Sequence, residues 1–277
     1  VLQLSGIGPG HLLQEHGIPV LSDKPVVGSN LQDHLSVTHY YRSRVPTINN
    51  VLSPWWGKLL AGLQYVLFRR GQLSLSVNQA GGFFRSNPKR ERPNLQMYFC
   101  ALTYTKAQPG VRPLLQPDPF AAFHNGISQC RPISRGRLGI RSSDPLVPVR
   151  IEPNYLSTQE DCQEMLEGVR FLRRLASAAP LAEVIESEYL PGPEVESDEE
   201  LLEDIRQRAD TVFHPTSTCA MGPDPQRSVV DSRLRVHGLE RLRIADASVF
   251  PTIICGNTNA PVIMLGEKAA DLVLSER

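Results

Sequence analysis

The chain has 277 residues, room for one large domain or two intertwined ones, and Lys plus Arg equals Asp plus Glu at 29 each, so its formal net charge is zero. That balance offers no basic surface for nucleic acid and indicates no acidic or membrane partner. No apolar run approaches the roughly 18 residues that cross a bilayer, and no signal segment opens the chain. With five scattered cysteines (Cys100, Cys130, Cys162, Cys219 and Cys255) and no Cys-x-x-Cys, a soluble protein with reduced thiols is expected, cytoplasmic or peripheral to a membrane.

Val1-Leu2-Gln3-Leu4-Ser5-Gly6 reads as the middle of a folded element, so the chain is expected to be a fragment. Ser5-Gly6-Ile7-Gly8-Pro9-Gly10 lacks the third glycine of a dinucleotide loop at the right spacing, and Pro9 intrudes. It reads better as the lead into a helix over His11–His16, with Gly17 as its cap, and a strand over Ile18–Leu21. Val27-Gly28-Ser29-Asn30-Leu31-Gln32-Asp33-His34 gathers Asn, Asp and His within five positions, either as a catalytic or cofactor group or as a turn held by its own side chains. No spacing in it suits a metal, and none is expected.

From Ser36 the Thr, Tyr, Val and Arg texture predicts strands entering another domain. Ser53, Pro54 and Gly71 bound a predicted helix, Pro54–Arg70, whose stripe of Trp55, Leu59, Leu60, Leu63, Val66 and Leu67 suits a core. Leu95–Cys100 and Ile127–Arg131 read as strands, with Ser134-Arg135-Gly136 as a hairpin turn returning through Arg137–Arg141. Polar faces on these strands suit an antiparallel sheet solvated or lined on one side. Four prolines in Gln108–Pro119 exclude helix and central strand there and leave a loop, over a cleft or simply on the surface. Ser157-Thr158-Gln159-Glu160 and Ser197-Asp198-Glu199-Glu200 are capping boxes ahead of two helices with apolar spacing.

The most informative stretch begins at Val212-Phe213-His214-Pro215-Thr216-Ser217-Thr218-Cys219-Ala220-Met221-Gly222. Val230-Asp231-Ser232-Arg233-Leu234-Arg235-Val236-His237-Gly238 follows, then a short strand over Leu242–Ala245 and Asp246-Ala247-Ser248-Val249-Phe250-Pro251. It ends on Gly256-Asn257-Thr258-Asn259-Ala260-Pro261 and a helix with Asn259 at its cap, Pro261 in its first turn and Val262, Leu265, Ala269, Leu272 and Val273 on one side. His214 and Asn259 are its two chemical candidates. A His before Pro and an Asn at a helix entrance are, by themselves, equally a satisfied structural histidine and a cap.

The four fragments in this order resemble the glucose-methanol-choline (GMC) flavin oxidoreductases, and most of all alcohol dehydrogenases of the choline-dehydrogenase kind. The resemblance implies a mixed fold: part of an α/β, Rossmann-like FAD-binding domain, without its N-terminal phosphate-loop part, and an inserted α+β substrate domain of antiparallel sheet plus helices. The expected split is 1–35 and 212–277 for FAD, and 36–211 for substrate.

It implies that His214 accepts a hydroxyl proton while hydride passes to flavin N5, and that Asn259 hydrogen-bonds the substrate oxygen. Ser-Gly-Ile-Gly-Pro then belongs to the flavin domain but not to its pyrophosphate loop. Asn30, Asp33 and His34 would lie near the cofactor, Asp246 and Ala247 by its ribityl and pyrophosphate, and Asn257 and Pro261 at the helix entrance beside it. Ser217 stands where many members have glycine. The expected partner is a small-molecule alcohol, with the electron acceptor open between a quinone and another carrier. An oxygen-reducing alcohol oxidase, a hydroxynitrile-lyase-like member and a non-catalytic truncated product are the competing readings.

Overall fold

The structure, a computed structural model, describes residues 1–104 and 116–275, so the part of the proline-rich loop over Gln108–Leu115 lies outside the described residues. In chain order the strands are β1 (Ile7–Gly8), β2 (Ser22–Asp23), β3 (Leu35–Ser43), β4 (Ala80–Phe84), β5 (Leu95–Cys100), β6 (Ala122–Gln129), β7 (Arg137–Gly139), β8 (Arg150–Glu152), β9 (Ile185–Leu190) and β10 (Asp210–Thr211). The helices are α1 (Gly10–Glu15), α2 (Ile48–Leu52), α3 (Trp55–Phe68), α4 (Gln159–Ala176), α5 (Ala179–Ala182), α6 (Asp198–Arg208) and α7 (Asn259–Leu274). The chain divides into two compact units, Val1–Leu35 with Cys130–Asp161 and Thr211–Arg277, and Ser36–Gln129 with Cys162–Asp210.

In the first unit, β1 and β2 pair in parallel and β7 and β8 antiparallel. Its core is built from valines and leucines of the C-terminal stretch, with Val229, Val230 and Val249 fully buried and Leu265 and Ala269 of α7 turned inward. In place of the expected strand Ile18–Leu21 the chain forms β2, at Ser22–Asp23. Pro19 has no N–H to give a ladder, and the carbonyl of Gly6 takes both Leu21 N and Ser22 N. The expected strand Leu242–Ala245 is a single bridge, Arg235 to Arg243, flanked by bonds from Val236 N to Leu242 O and from Ile244 N to Leu234 O.

The middle span of the chain is shorter than its sequence suggests, because Cys130–Asp161 packs with the two ends. Leu31 and Gly136 exchange both backbone hydrogen bonds, at 2.9 and 2.8 Å, which removes Arg137–Arg141 from any hairpin with Ile127–Arg131. The first of these strands pairs with β8, and the second ends at Gln129 between β3 and β5. Only glycine fits at 136, since a Cβ there would stand 2.1 Å from Glu152 O. Gln3 ties the segment further, accepting from Ile140 N at 2.9 Å, and Ile133 N and Ser134 N donate to the Asp161 carboxylate.

The second unit is organised by a six-stranded sheet in the order β10-β3-β6-β5-β4, with β9 also on β3; β3, β4, β5, β6 and β9 pair antiparallel. Residues of β3 alternate buried and half-buried, the period of a strand with one covered face. α4 covers it, with Met165, Val169 and Leu172 fully buried and Gly168 so close that a Cβ would meet Ile127 Cδ1 at 2.3 Å. Ser197 opens α6 with the expected capping box. At α4 the cap is one residue late, with Thr158 Oγ1 accepting from Asp161 N, while Ser157 N donates to Ser134 Oγ.

The bulky stripe of α3 does not form a core. Trp55 is 76% exposed and Leu59, Leu60, Val66 and Leu67 are each more than half exposed, while the buried side of the helix is Gly57 and Ala61. A Cβ at position 57 would stand 1.9 Å from Val51 O, so the approach of α2 selects the small residues as the inward face. Ser53, expected to open α3, instead closes α2, which starts from a Thr47–Asn50 capping box. No helix among the described residues is long and apolar enough to cross a membrane.

Candidate active site

Every candidate residue of the sequence lies in the first unit, and the centre of their arrangement is Asp33. Its Oδ1 accepts from the backbone N–H of His34 at 2.9 Å and of His214 at 2.8 Å. Its Oδ2 accepts from the hydroxyls of Tyr155 and Thr211. One buried carboxylate thus pins two histidine backbones from distant parts of the chain, and charge-assisted bonds of this kind are the strong ones. Val212 N to His34 O, at 3.0 Å, closes the same junction.

The two imidazoles meet edge to face, with their Nδ1 atoms 2.9 Å apart. His34 is 1% exposed and its Nε2 lies 3.2 Å from the carbonyl oxygen of Cys130. Burial lowers the pKa of both rings; at His34 the His214 ring lowers it further, while the backbones of Cys130 and Ile254 and the Asp33 carboxylate pull against it, and at His214 Asp33 alone does so. Both are therefore neutral at pH 7. The sequence marked His34 and Asp33 but gave no sign of Cys130, Tyr155 or Thr211, whose contributions depend on chain crossings rather than on any local motif.

Two neighbouring residues brace the loop that carries His214. Gln32 donates to Pro132 O at 2.8 Å and accepts from Ile253 N at 3.0 Å, while its backbone pairs with Thr216. Asn30, in the left-handed region at φ 62°, places its amide by Ser217 O and Pro251 O. Beyond His214, residues 217–221 run beside 247–249 through bonds from Ser217 N to Ala247 O, Cys219 N to Ser248 O and Met221 N to Val249 O. Ser217 has φ 73°, a left-handed backbone that glycine adopts freely and that serine keeps at a cost.

The remaining candidates face outward. Asp246 is exposed and caps the turn Ala247–Val249, accepting from Ser248 N at 2.8 Å. Asn257 and Asn259 are exposed and Pro261 half-buried. The cap of α7 is Thr258 rather than Asn259, and no side chain bonds the helix entrance from that cap, so the Asn259 amide is the first helical residue's side chain in solvent. Among the described residues no hydrogen bond or ring contact joins Asn259 to His214. Among the described residues no group of His, Cys, Asp or Glu could hold a metal ion.

This fold is that of an established family. Residues 132–266 match the family model described as GMC oxidoreductase. The chain belongs to the GMC oxidoreductases. It is 42% identical to an alcohol dehydrogenase [acceptor] of Pseudomonas putida over 99% of its own length and 49% of the relative's. It is 41% identical to an oxygen-dependent choline dehydrogenase of Pseudomonas aeruginosa (strain LESB58), over 99% and 47%. A solved structure of Aspergillus oryzae RIB40 formate oxidase, studied for modification of its FAD, superposes with TM-score 0.90 at 29% identity over all of this chain and 52% of that one. The chain therefore spans about half the length of the curated relatives it matches.

Proposed function

We propose that this chain carries the proton-accepting part of an FAD-dependent enzyme that oxidises the CH–OH group of a small-molecule alcohol to an aldehyde, acting together with a nucleotide-binding half. The observation that carries the reading is His214: a neutral imidazole with its backbone clamped by Asp33 and its Nδ1 engaged by His34, which leaves Nε2 without a hydrogen-bond partner among the described residues. A base must be unprotonated and oriented, and this ring is both, with 8% of its residue surface exposed.

The residues present suit FAD. The turn that Asp246 caps and the entrance of α7, with no side-chain bond on its cap, offer backbone N–H groups, and the exposed side chains of Phe213, Ile263 and Met264 are apolar surface that a flavin would cover. Asp246, Ala247, Asn257 and Pro261 would hold it, with Asn30, Asp33 and His34 behind them as braces. Bound there, FAD supplies the hydride acceptor that no side chain can supply.

His214 removes the hydroxyl proton at Nε2, and Asn259 would donate its amide N–H to the substrate oxygen. Asp33 and His34 keep the imidazole in place. The first unit is assigned to flavin and the second to substrate recognition. The test is a visible absorbance titration of the purified chain with FAD, followed by anaerobic addition of a primary alcohol. A saturable shift with structured bands and bleaching by alcohol support the reading. Flavin that binds in the enzyme joined to its nucleotide-binding half but is never bleached by any alcohol contradicts it.

A further inference from the structure

We infer that His34 is a positioning residue that fixes His214 as the Nδ1–H tautomer, so that the lone pair of the neutral pair is presented at Nε2 of His214 and nowhere else. The inference rests on His214 being the base and adds what prepares it. A carbonyl oxygen can only accept, so the 3.2 Å contact with Cys130 O requires the proton of His34 on Nε2. A neutral ring has one N–H, which makes Nδ1 of His34 an acceptor. The 2.9 Å contact between the two Nδ1 atoms then requires the proton on Nδ1 of His214. Nε2 of His214 is left bare.

The same geometry decides which ring takes up a proton. Protonating His34 would aim two N–H groups at one another across 2.9 Å, whereas protonating Nε2 of His214 leaves the bond to His34 intact. The groups that face the pair agree. Asp33 gives Oδ1 to both backbone N–H groups and Oδ2 to Tyr155 and Thr211, so no carboxylate oxygen competes for either ring. His34 sits 1% exposed, out of reach of solvent protons. The pair is a one-proton device with a fixed port, and the carbonyl of Cys130 is its anchor.

The test is 15N NMR of the chain labelled at histidine, with His214 assigned by its loss in His214→Gln. The expected spectrum near neutral pH shows Nδ1 of His214 at the frequency of a protonated ring nitrogen and Nε2 at that of a bare one. His34→Leu should convert this to the mixed or reversed tautomer population of a free imidazole. His34→Asn, whose amide oxygen can accept where Nδ1 did, should restore most of it. In the FAD-loaded enzyme His34→Leu should slow alcohol-dependent flavin reduction about a hundredfold with little change in KM, and His34→Asn should recover about tenfold of that.

A wild-type His214 carrying its proton on Nε2 overturns the inference, and so does an unchanged tautomer in a folded His34→Leu. The wild-type spectrum decides the matter even where a variant fails to fold. Failure of the base itself is separate: it would appear as undiminished flavin reduction in His214→Gln alongside the expected tautomer.

Discussion

His34 and His39 stand five residues apart and are both sealed from water, at 1% and 0% exposure, yet they are in opposite situations. Each ring nitrogen of His34 has a partner, and those partners fix where its proton sits. Neither ring nitrogen of His39 has a hydrogen-bond partner, and Glu188 Oε2, 3.9 Å from Nδ1, accepts from Arg173 Nε. Burial, with the charges of Arg208 and Arg173 added, pushes the His39 pKa down to about 3. Directly opposite in the sheet, Asn125 is buried with both amide atoms unpartnered, and Tyr41, next on the same face, has an unpartnered hydroxyl. Low exposure makes both histidines neutral, but only hydrogen bonds give one of them a direction. Chemistry needs the second property.

The sharpest way to break the contrast is at Asp33. Asp33→Ala leaves two buried backbone N–H groups and two hydroxyls without their acceptor, and should cost about 3 kcal/mol of stability in a urea titration while also abolishing alcohol-dependent flavin reduction. A loss of activity with an unchanged midpoint would mean that the carboxylate is not a clamp.

Next comes Asn259→Ala. The side chain makes no cap bond, so the variant should slow flavin reduction about tenfold without moving the thermal midpoint; a midpoint shift alone would return Asn259 to a structural role.

The unsatisfied histidine is sharpened by acid. The folded pKa of His39 lies below its unfolded value near 6.5, so the unfolded state binds the extra proton and stability falls as pH drops from about 6.5 toward 3. His124, lowered to about 4 by burial, acts in the same direction. His39→Leu should make the fall in thermal midpoint over that window shallower, and an unchanged slope would show that His39 is hydrated or paired. The smallest effect is expected of Ser217→Gly, which relieves a left-handed backbone at φ 73° and should stabilise by about 1 kcal/mol, read as a raised midpoint.

How much of this was legible depends on how locally each feature is determined. The Ser197 box and the strand Leu95–Cys100 are readable because their causes lie within a few residues. The helix Trp55–Phe68 is readable as a helix but not in its orientation, since the close approach of Val51 O to Gly57, not the bulk of the stripe, decides which face is covered. His214 and Asp33 could be picked out, but their connection could not. The bond between His34 and His214 spans 180 residues, and the anchor at Cys130 is a backbone carbonyl, which no side-chain motif reports. Leu242–Ala245 has a strand's composition and still pairs through one bridge, because pairing depends on what lies beside it.

The measurement that bears most directly on the central claim is the rate of anaerobic flavin reduction by a primary alcohol in the FAD-loaded enzyme, for wild type and His214→Gln, across pH 5 to 9. With a base already neutral and held below its ordinary pKa by burial, the wild-type rate should stay level down to below about pH 6.5 and fall only in more acid solution. His214→Gln should be slower at least about a hundredfold and lose that acid limb. Equal rates in the two proteins, or an acid limb that survives in the variant, would contradict the assignment of His214 as the base.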